Sequence, residues 1–164
     1  MKMRLLIVFA VILGGAAIAA QSAPTSRARV QGVWRIAEFA HYTEPTNSRP
    51  QPSLYLFTGR HYAMLRVTSS APRVAPVDPD RASAAELLAV WGNNGFIANA
   101  GTYEIDGEHL IIRPVVAKDP GVMTSDFYTV YAMRFEGDLL VLSEVRDTKK
   151  IAPYPTTFKL SRLE

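Results

Sequence analysis

The sequence contains no cysteine, which excludes a disulfide scaffold, a thiolate metal site, a cysteine nucleophile and a lipoprotein anchor. Its three histidines, His41, His61 and His109, stand far apart and do not form the i, i+4 pair of a helical metal site. No glycine-rich phosphate loop precedes a helix, and no serine follows the strand-turn-helix pattern of a hydrolase nucleophile. We therefore expect neither a metal nor a cofactor.

The chain carries little excess charge, with 18 Lys and Arg against 15 Asp and Glu. Two of the cations, Lys2 and Arg4, precede an apolar run that spans residues 5–20 and ends in small residues. This pattern is typical of a secretory signal peptide, and a retained N-terminal anchor is the alternative. We expect residues 1–20 to be removed, which leaves an exported protein, periplasmic or secreted, without a membrane span. The mature charge of +1, with no basic stripe, predicts no nucleic-acid partner.

The rest of the chain has the length and composition of one folded domain, since 48% of the 164 residues are hydrophobic and only 20% are charged. Residues 21–29 are small and polar, and they predict a flexible lead-in to a domain over residues 30–164. Eight short runs rich in β-branched and aromatic residues follow, and glycine turns separate several of them. These predicted strands cover residues 30–42, 53–57, 60–67, 101–105, 108–116, 126–135, 139–145 and 155–163.

A short helix is predicted inside the third connection, which spans residues 68–100. Ser83 and Glu86 have the spacing of a capping box, in which each side chain satisfies a backbone N–H of the other's residue. Leu87, Leu88 and Trp91 then share one helical face.

The lengths of the connections alternate between short and long along the chain. Three are tight turns, at Thr58-Gly59, Asp106-Gly107 and residues 136–138, and the four others are long. In an up-and-down sheet this places every long loop at one end. If the eight antiparallel strands close into a barrel, both edge strands become paired and the apolar face of the sheet is covered. We therefore predict an all-β, eight-stranded, up-and-down barrel whose cavity opens at the loop-rich end, with the helix as a plug or lid.

A closed barrel would bring the first and last strands together. Trp34 begins the first strand after Gly32, and Arg162 ends the last strand, so a guanidinium over the indole would join the seam. The alternative is that Trp34 is only a core aromatic and Arg162 a solvated residue. In both cases the role is structural.

Several short motifs of the chain are similar to those of a known protein family. Gly32-Val33-Trp34-Arg35-Ile36, the glycine hairpin at Gly59-Arg60-His61-Tyr62 and the segment Ala100-Gly101-Thr102-Tyr103-Glu104-Ile105-Asp106-Gly107 resemble the bacterial lipocalin-like domain family, within the lipocalin superfamily. The resemblance extends over nearly all of the mature chain and implies a barrel with a central cavity. The superfamily's Thr-Asp-Tyr motif is missing between the sixth and seventh strands.

Alternation along the strands predicts which side chains line the cavity. A two-residue turn at Asp106-Gly107 would pair Tyr103 with Leu110 and Gly101 with Ile112, and would leave Arg113 outside. The expected ligand-binding residues are Ile36, Glu38, Tyr62, Met64, Tyr103, Ile112, Tyr131 and Met133, with Trp91 from the helix. Such a lining suits a small hydrophobic or amphipathic ligand. The alternative is that these side chains simply fill the barrel.

Glu38 is the strongest candidate for an acid or base, because a carboxylate inside an apolar barrel would either form an ion pair or take up a proton. It could act as the acid or base of a cofactor-free cyclase or isomerase. Alternatively, it reaches water at the rim or pairs with Arg66, and Glu144 invites the same reading. We expect a small-molecule binding protein rather than an enzyme, and an interaction protein with a filled barrel is the third possibility.

Overall fold

The computed structural model describes residues 25–41, 43–69, 71–92, 95–148, 151–152 and 155–164. The predicted signal peptide, residues 1–20, and residues 21–24 of the predicted lead-in lie outside the described residues. Among the helices that the structure does describe, none is both long and apolar enough to cross a bilayer.

Nine strands form a single antiparallel sheet that closes on itself. They are β1 (Gly32–His41), β2 (Glu44–Asn47), β3 (Ser53–Phe57), β4 (His61–Val67), β5 (Phe96–Asp106), β6 (His109–Ala117), β7 (Thr129–Glu136), β8 (Leu139–Asp147) and β9 (Thr157–Arg162). The order is β2-β1-β3-β4-β5-β6-β7-β8-β9, and β9 also pairs with β1. Eight strands therefore make the barrel, and the predicted fold class is confirmed.

The additional strand, β2, was not expected. It pairs only with the far end of β1, where Phe39 lies opposite Asn47 and His41 opposite Glu44. All four of its residues are exposed, and one of them is Pro45. The segment therefore shows no buried face, and its sequence carries no alternating pattern that would reveal a strand.

The short turns gather at one end of the barrel, called the closed end below. Thr58–Arg60 joins β3 to β4, and the two other turns have glycine at positive φ, +57° at Gly107 and +59° at Gly137. The long connections lie at the opposite, loop-rich end. This separation of short and long connections agrees with the sequence prediction.

The β5–β6 register differs from the predicted one by two residues. Tyr103 lies opposite Ile112, and Asp106 opposite His109, so Gly107-Glu108 is the two-residue turn. Glycine takes the first central position there, as in a type II′ turn. Because a shift of two residues keeps each side chain on its face, Tyr103 and Ile112 are still buried. Arg113 is on the outside, as predicted, and pairs with Glu104 at 2.9 Å.

A short helix seals the closed end where a flexible lead-in was expected. Residues Ser26–Val30 form α1, and the Thr25 side chain accepts a hydrogen bond from the Ala28 N–H at its start. The Val30 side chain is fully buried, and the Val30 carbonyl accepts a 2.8 Å hydrogen bond from the Trp34 indole. Composition alone indicated a polar lead-in, but this tertiary contact orders the segment.

Trp34 and Arg162 meet at the seam between β1 and β9. They are register partners, and the guanidinium carbon lies 4.1 Å from the indole centroid. Arg162 also donates to the Gln31 carbonyl at 2.6 Å and to the Arg29 carbonyl. The seam is thus fastened to α1 as well as between strands.

The barrel is packed solid from the closed end to its middle. Its largest fully buried side chains are Trp34, Phe158, Leu110, Leu140, Leu142, Leu160, Val30 and Val141. Most of them belong to one cluster that also contains the buried tyrosines described below. The interior of the barrel around this cluster is therefore occupied by side chains.

The mouth pocket of the barrel

A pocket of about 260 Å³ opens at the loop-rich end, and we call it the mouth pocket. Its apolar walls come from β1, β4 and β9, and its rim comes from β2 and the loops. It is lined by Ile36, Phe39, Glu44, Asn47, Pro50, Gln51, Arg66, Val67, Thr68, Ser69, Thr156 and Phe158. Larger hollows of about 440 and 590 Å³ lie at the closed end and beside residues 48–53, and both are more open to solvent.

A β-bulge on β1 decides which side chains enter the mouth pocket. Ile36 lies opposite Leu160, but Glu38 lies opposite Lys159, so one residue of β1 is unpaired between them. A bulge shifts the alternation by one residue. As a result, Ile36 and Phe39 both face the interior, where the Phe39 and Phe158 rings lie 5.5 Å apart.

Glu38 is consequently placed outside the barrel, and its expected position in the cavity is wrong. Its carboxylate lies 3.3 Å from the ammonium of Lys159, which also pairs with Glu136 at 3.4 Å. The bulge is the physical reason, since strict alternation from Trp34 would have turned Glu38 inward. The partner also differs from Arg66, the one considered from the sequence.

Arg66 is the cation that does enter the barrel. It follows Tyr62 and Met64 on the inward face of β4, and its guanidinium carbon lies 4.5 Å from the Phe158 ring centroid. Its Nε atom is buried and has no hydrogen-bond partner among the described residues. Every Asp and Glu of the chain is described, and none of their ion pairs includes Arg66.

Three tyrosines form a layer next to Arg66, toward the closed end. Tyr55, Tyr62 and Tyr131 are buried, and the Tyr62 hydroxyl donates to the Asn99 side-chain oxygen at 2.7 Å. Burial raises the pKa of all three phenols. The positive charge of Arg66 acts against this increase at Tyr55 and Tyr131. The layer therefore consists of neutral hydroxyl groups at ordinary pH.

Glu144 is the acid nearest to this layer. It lies opposite Tyr131 in the β7–β8 ladder, and its negative charge contributes to the raised pKa of Tyr131 and of Tyr55. It does not line the mouth pocket. Among the described residues, the charged side chains that do so are Arg66 and Glu44, and Glu44 is exposed at the rim.

Most of the residues expected to bind a ligand lie in the packed core rather than in the mouth pocket. They are Tyr62, Met64, Tyr103, Ile112, Tyr131 and Met133, all buried in the same cluster. The Tyr103 hydroxyl donates to the Thr58 carbonyl at 2.6 Å, which places this residue near the closed end. Of the expected set, Ile36 alone lines the mouth pocket.

The predicted helix exists, but it is not a lid. It is α2 (Ala84–Trp91), and the Ser83–Glu86 capping box is present. All eight of its residues are described, and none is buried; Trp91 is 58% exposed. Arg73 holds the helix beside β5, since it donates to the Val90 carbonyl at 2.8 Å and its guanidinium carbon lies 4.6 Å from the Phe96 ring centroid. Trp91 therefore stands away from the mouth pocket.

Arg66 and Phe39 are two inward-facing residues of the mouth pocket that the sequence prediction did not include, for different reasons. Strict alternation from Tyr62 and Met64 places Arg66 inside, but the sequence offered it only as a partner for Glu38. Phe39 gave no signal, because the bulge reverses its expected direction. Within the described ranges, no group of three His, Asp or Glu side chains could hold a metal ion.

Comparisons with known proteins found no match for this chain. No protein-family model, no curated protein and no solved structure matches it.

Proposed function

We propose that this protein is an exported, lipocalin-like binding protein that holds a small amphipathic molecule in the mouth pocket. A closed eight-stranded barrel is compatible with small-molecule binding, because eight strands can enclose one small ligand at an open end. The observation that carries the proposal is the combination of an apolar wall, formed by Ile36, Phe39 and Phe158, with the cation Arg66. Apolar area with one or two placed polar groups is the usual composition of a ligand site.

The volume limits the size of the ligand. Sites for drug-sized molecules measure about 300–1,000 Å³, whereas the mouth pocket measures about 260 Å³. The core below it is filled by residues such as Leu142 and Leu160, both 0–1% exposed, so a ligand cannot extend toward the closed end. The mouth pocket therefore takes a small molecule, or one end of a longer molecule whose remainder stays in solvent.

Binding is favoured over catalysis by the position of Glu38. The enzymatic alternative relied on this carboxylate as an acid or base, and Glu38 is ion-paired on the outer surface. The three phenols beside Arg66 have raised pKa values, which makes them poor bases near neutral pH.

The test is native mass spectrometry of the protein purified from its own host without denaturation. We expect a reproducible bound small molecule in the wild-type protein. Two variants give a matched pair: Thr156→Trp fills the rim of the mouth pocket, and Leu65→Trp places the same side chain on the outer wall, where Leu65 is 39% exposed. The bound mass should disappear in Thr156→Trp and persist in Leu65→Trp.

A second candidate, an interaction protein that uses its loop surfaces, is favoured by the solid packing of most of the barrel. It predicts no bound small molecule in any of the three proteins. The intact mass of the same samples also tests export, because removal of the signal peptide shortens the chain by about 20 residues.

A further inference from the structure

The guanidinium of Arg66 lies inside the barrel without an acidic partner. A guanidinium carries a permanent charge and five N–H donors, and buried charges in proteins are normally paired. Here the Nε–H is buried without an acceptor among the described residues, and no carboxylate of the chain forms an ion pair with the group. The guanidinium donates a hydrogen bond to the Tyr55 hydroxyl and stacks on the Phe158 ring at 4.5 Å, and neither contact supplies a negative charge.

We infer that the ligand of the mouth pocket is an organic acid, whose carboxylate pairs with Arg66 while its apolar part lies against Ile36, Phe39 and Phe158. This inference rests on the proposed function and adds the chemical class of the ligand. It follows from the shape of the guanidinium, since a planar carboxylate can accept from Nε and a terminal nitrogen at once.

The charges around the mouth pocket agree with an anionic ligand. In the part of the chain that the structure describes, Arg66 is the only cation of the lining. Of the two nearby acids, Glu44 is exposed on β2, where solvent screens its charge. Glu144 does not line the mouth pocket, and its charge acts on the phenols of Tyr55 and Tyr131. On the lining itself, an entering carboxylate would therefore meet Arg66 and no buried negative group.

The neighbouring phenols give the site a second way to hold an anion. Their raised pKa keeps Tyr55 and Tyr131 as neutral O–H groups that can donate hydrogen bonds but do not repel a carboxylate. The Tyr55 and Phe158 rings lie 6.5 Å apart, so the phenol layer is next to the ring on which Arg66 stacks. The polar end of a ligand would thus lie deepest and its apolar end nearest the rim.

The experiment is isothermal titration calorimetry with pairs of probes that differ only in charge. The acids are 3-phenylpropionate and hexanoate, and their neutral counterparts are 3-phenylpropanol and 1-hexanol, so the aromatic and aliphatic arms are separate. We expect the wild-type protein to bind at least one acid at least tenfold more tightly than its alcohol, because a charge-assisted hydrogen bond contributes at least that factor.

The variants distinguish the role of Arg66 from a general loss of charge. Arg66→Met should abolish the preference for the acid and leave alcohol binding within about threefold of the wild-type value. Arg66→Lys keeps the charge but loses the paired donors of the guanidinium, so it should retain part of the preference for the acid. Arg35→Met, on the exposed outer face of β1, removes the same charge and should keep the full preference.

Stability gives an independent readout in the ligand-free protein. Arg66→Met loses the contacts with Phe158 and Tyr55 but also removes a charge that has no acidic partner, so it should melt within about 4 °C of the wild-type protein; a larger decrease would assign Arg66 a structural role and overturn the inference. Equal binding of acid and alcohol by the wild-type protein would also overturn it, while leaving the proposed function intact. If neither acid nor alcohol binds, the proposed function fails as well.

Discussion

Removing the guanidinium from the barrel seam tests the closure of the fold. In Arg162→Met, the side chain keeps much of its apolar stem but loses its position 4.1 Å from the Trp34 indole centroid. It also loses the hydrogen bonds to the Gln31 and Arg29 carbonyls. These contacts connect β1, β9 and α1, so the variant weakens three elements at once.

The size of the effect follows from these contacts. A cation–π contact at an exposed site contributes about 0.5–1 kcal/mol, and a hydrogen bond from a charged donor contributes about 1.5–3 kcal/mol before discounting for solvent. Arg162 is exposed, and we therefore count each carbonyl contact at about 1 kcal/mol. The free energy of unfolding should fall by about 2–3 kcal/mol, which corresponds to a decrease in Tm of roughly 10 °C for a domain of this size.

The assay is thermal and urea unfolding followed by circular dichroism, with Arg35→Met as the matched control. Arg35 is the neighbouring strand residue, and its side chain makes one 3.3 Å hydrogen bond to Ser161 on the exposed face. Its loss should cost less than about 0.5 kcal/mol. If the two variants melt within about 2 °C of each other, the seam does not depend on Arg162 and this reasoning is refuted.

Three further predictions concern other parts of the barrel. Gly32→Ala should lower the free energy of unfolding by more than about 2 kcal/mol, because φ is +134° and the new Cβ would clash with the Arg162 guanidinium; an unchanged urea midpoint would contradict this. Glu38→Gln should cost less than about 1 kcal/mol and leave ligand binding unchanged, since the Glu38–Lys159 pair is partly exposed; weakened binding in a titration would return Glu38 to the site. Burial raises the pKa of Tyr131, so the folded state holds a proton that the unfolded chain releases above about pH 10. This contribution to the free energy of unfolding is fully present below pH 10 and is lost as the pH rises. In urea unfolding, the stability of Tyr131→Phe should therefore fall less steeply than that of the wild-type protein between pH 9 and 11, and equal slopes would refute the prediction.

The fold was predictable because its signals are local and repeated. Alternating apolar residues indicated strands, and the short turns with glycine indicated that successive strands pair as hairpins. Closure of the barrel followed from the need to pair the two edge strands of the sheet. The capping box at Ser83 placed the N-terminus of α2 at the correct residue. The error in the β5–β6 register had no consequence for burial, because it was an even number of residues.

The site was less predictable because it depends on interactions between distant segments. The bulge between Ile36 and Glu38 reverses the alternation of β1, and the two strands that pair there are separated by more than a hundred residues in sequence. The helix α1 is ordered by the buried Val30 and by Arg162, which a composition argument cannot anticipate. Amphipathic spacing in α2 indicated a buried face, but Arg73 holds this helix at the surface.

The most direct test of the central claim, that the mouth pocket is the binding site, is mapping of 3-phenylpropionate binding by two-dimensional NMR. The account predicts that the largest chemical-shift changes cluster at Ile36, Phe39, Arg66, Val67 and Phe158, with little change around Trp91 or at the closed end. Changes centred on α2 or on the outer wall, or no changes at saturating acid, would contradict it.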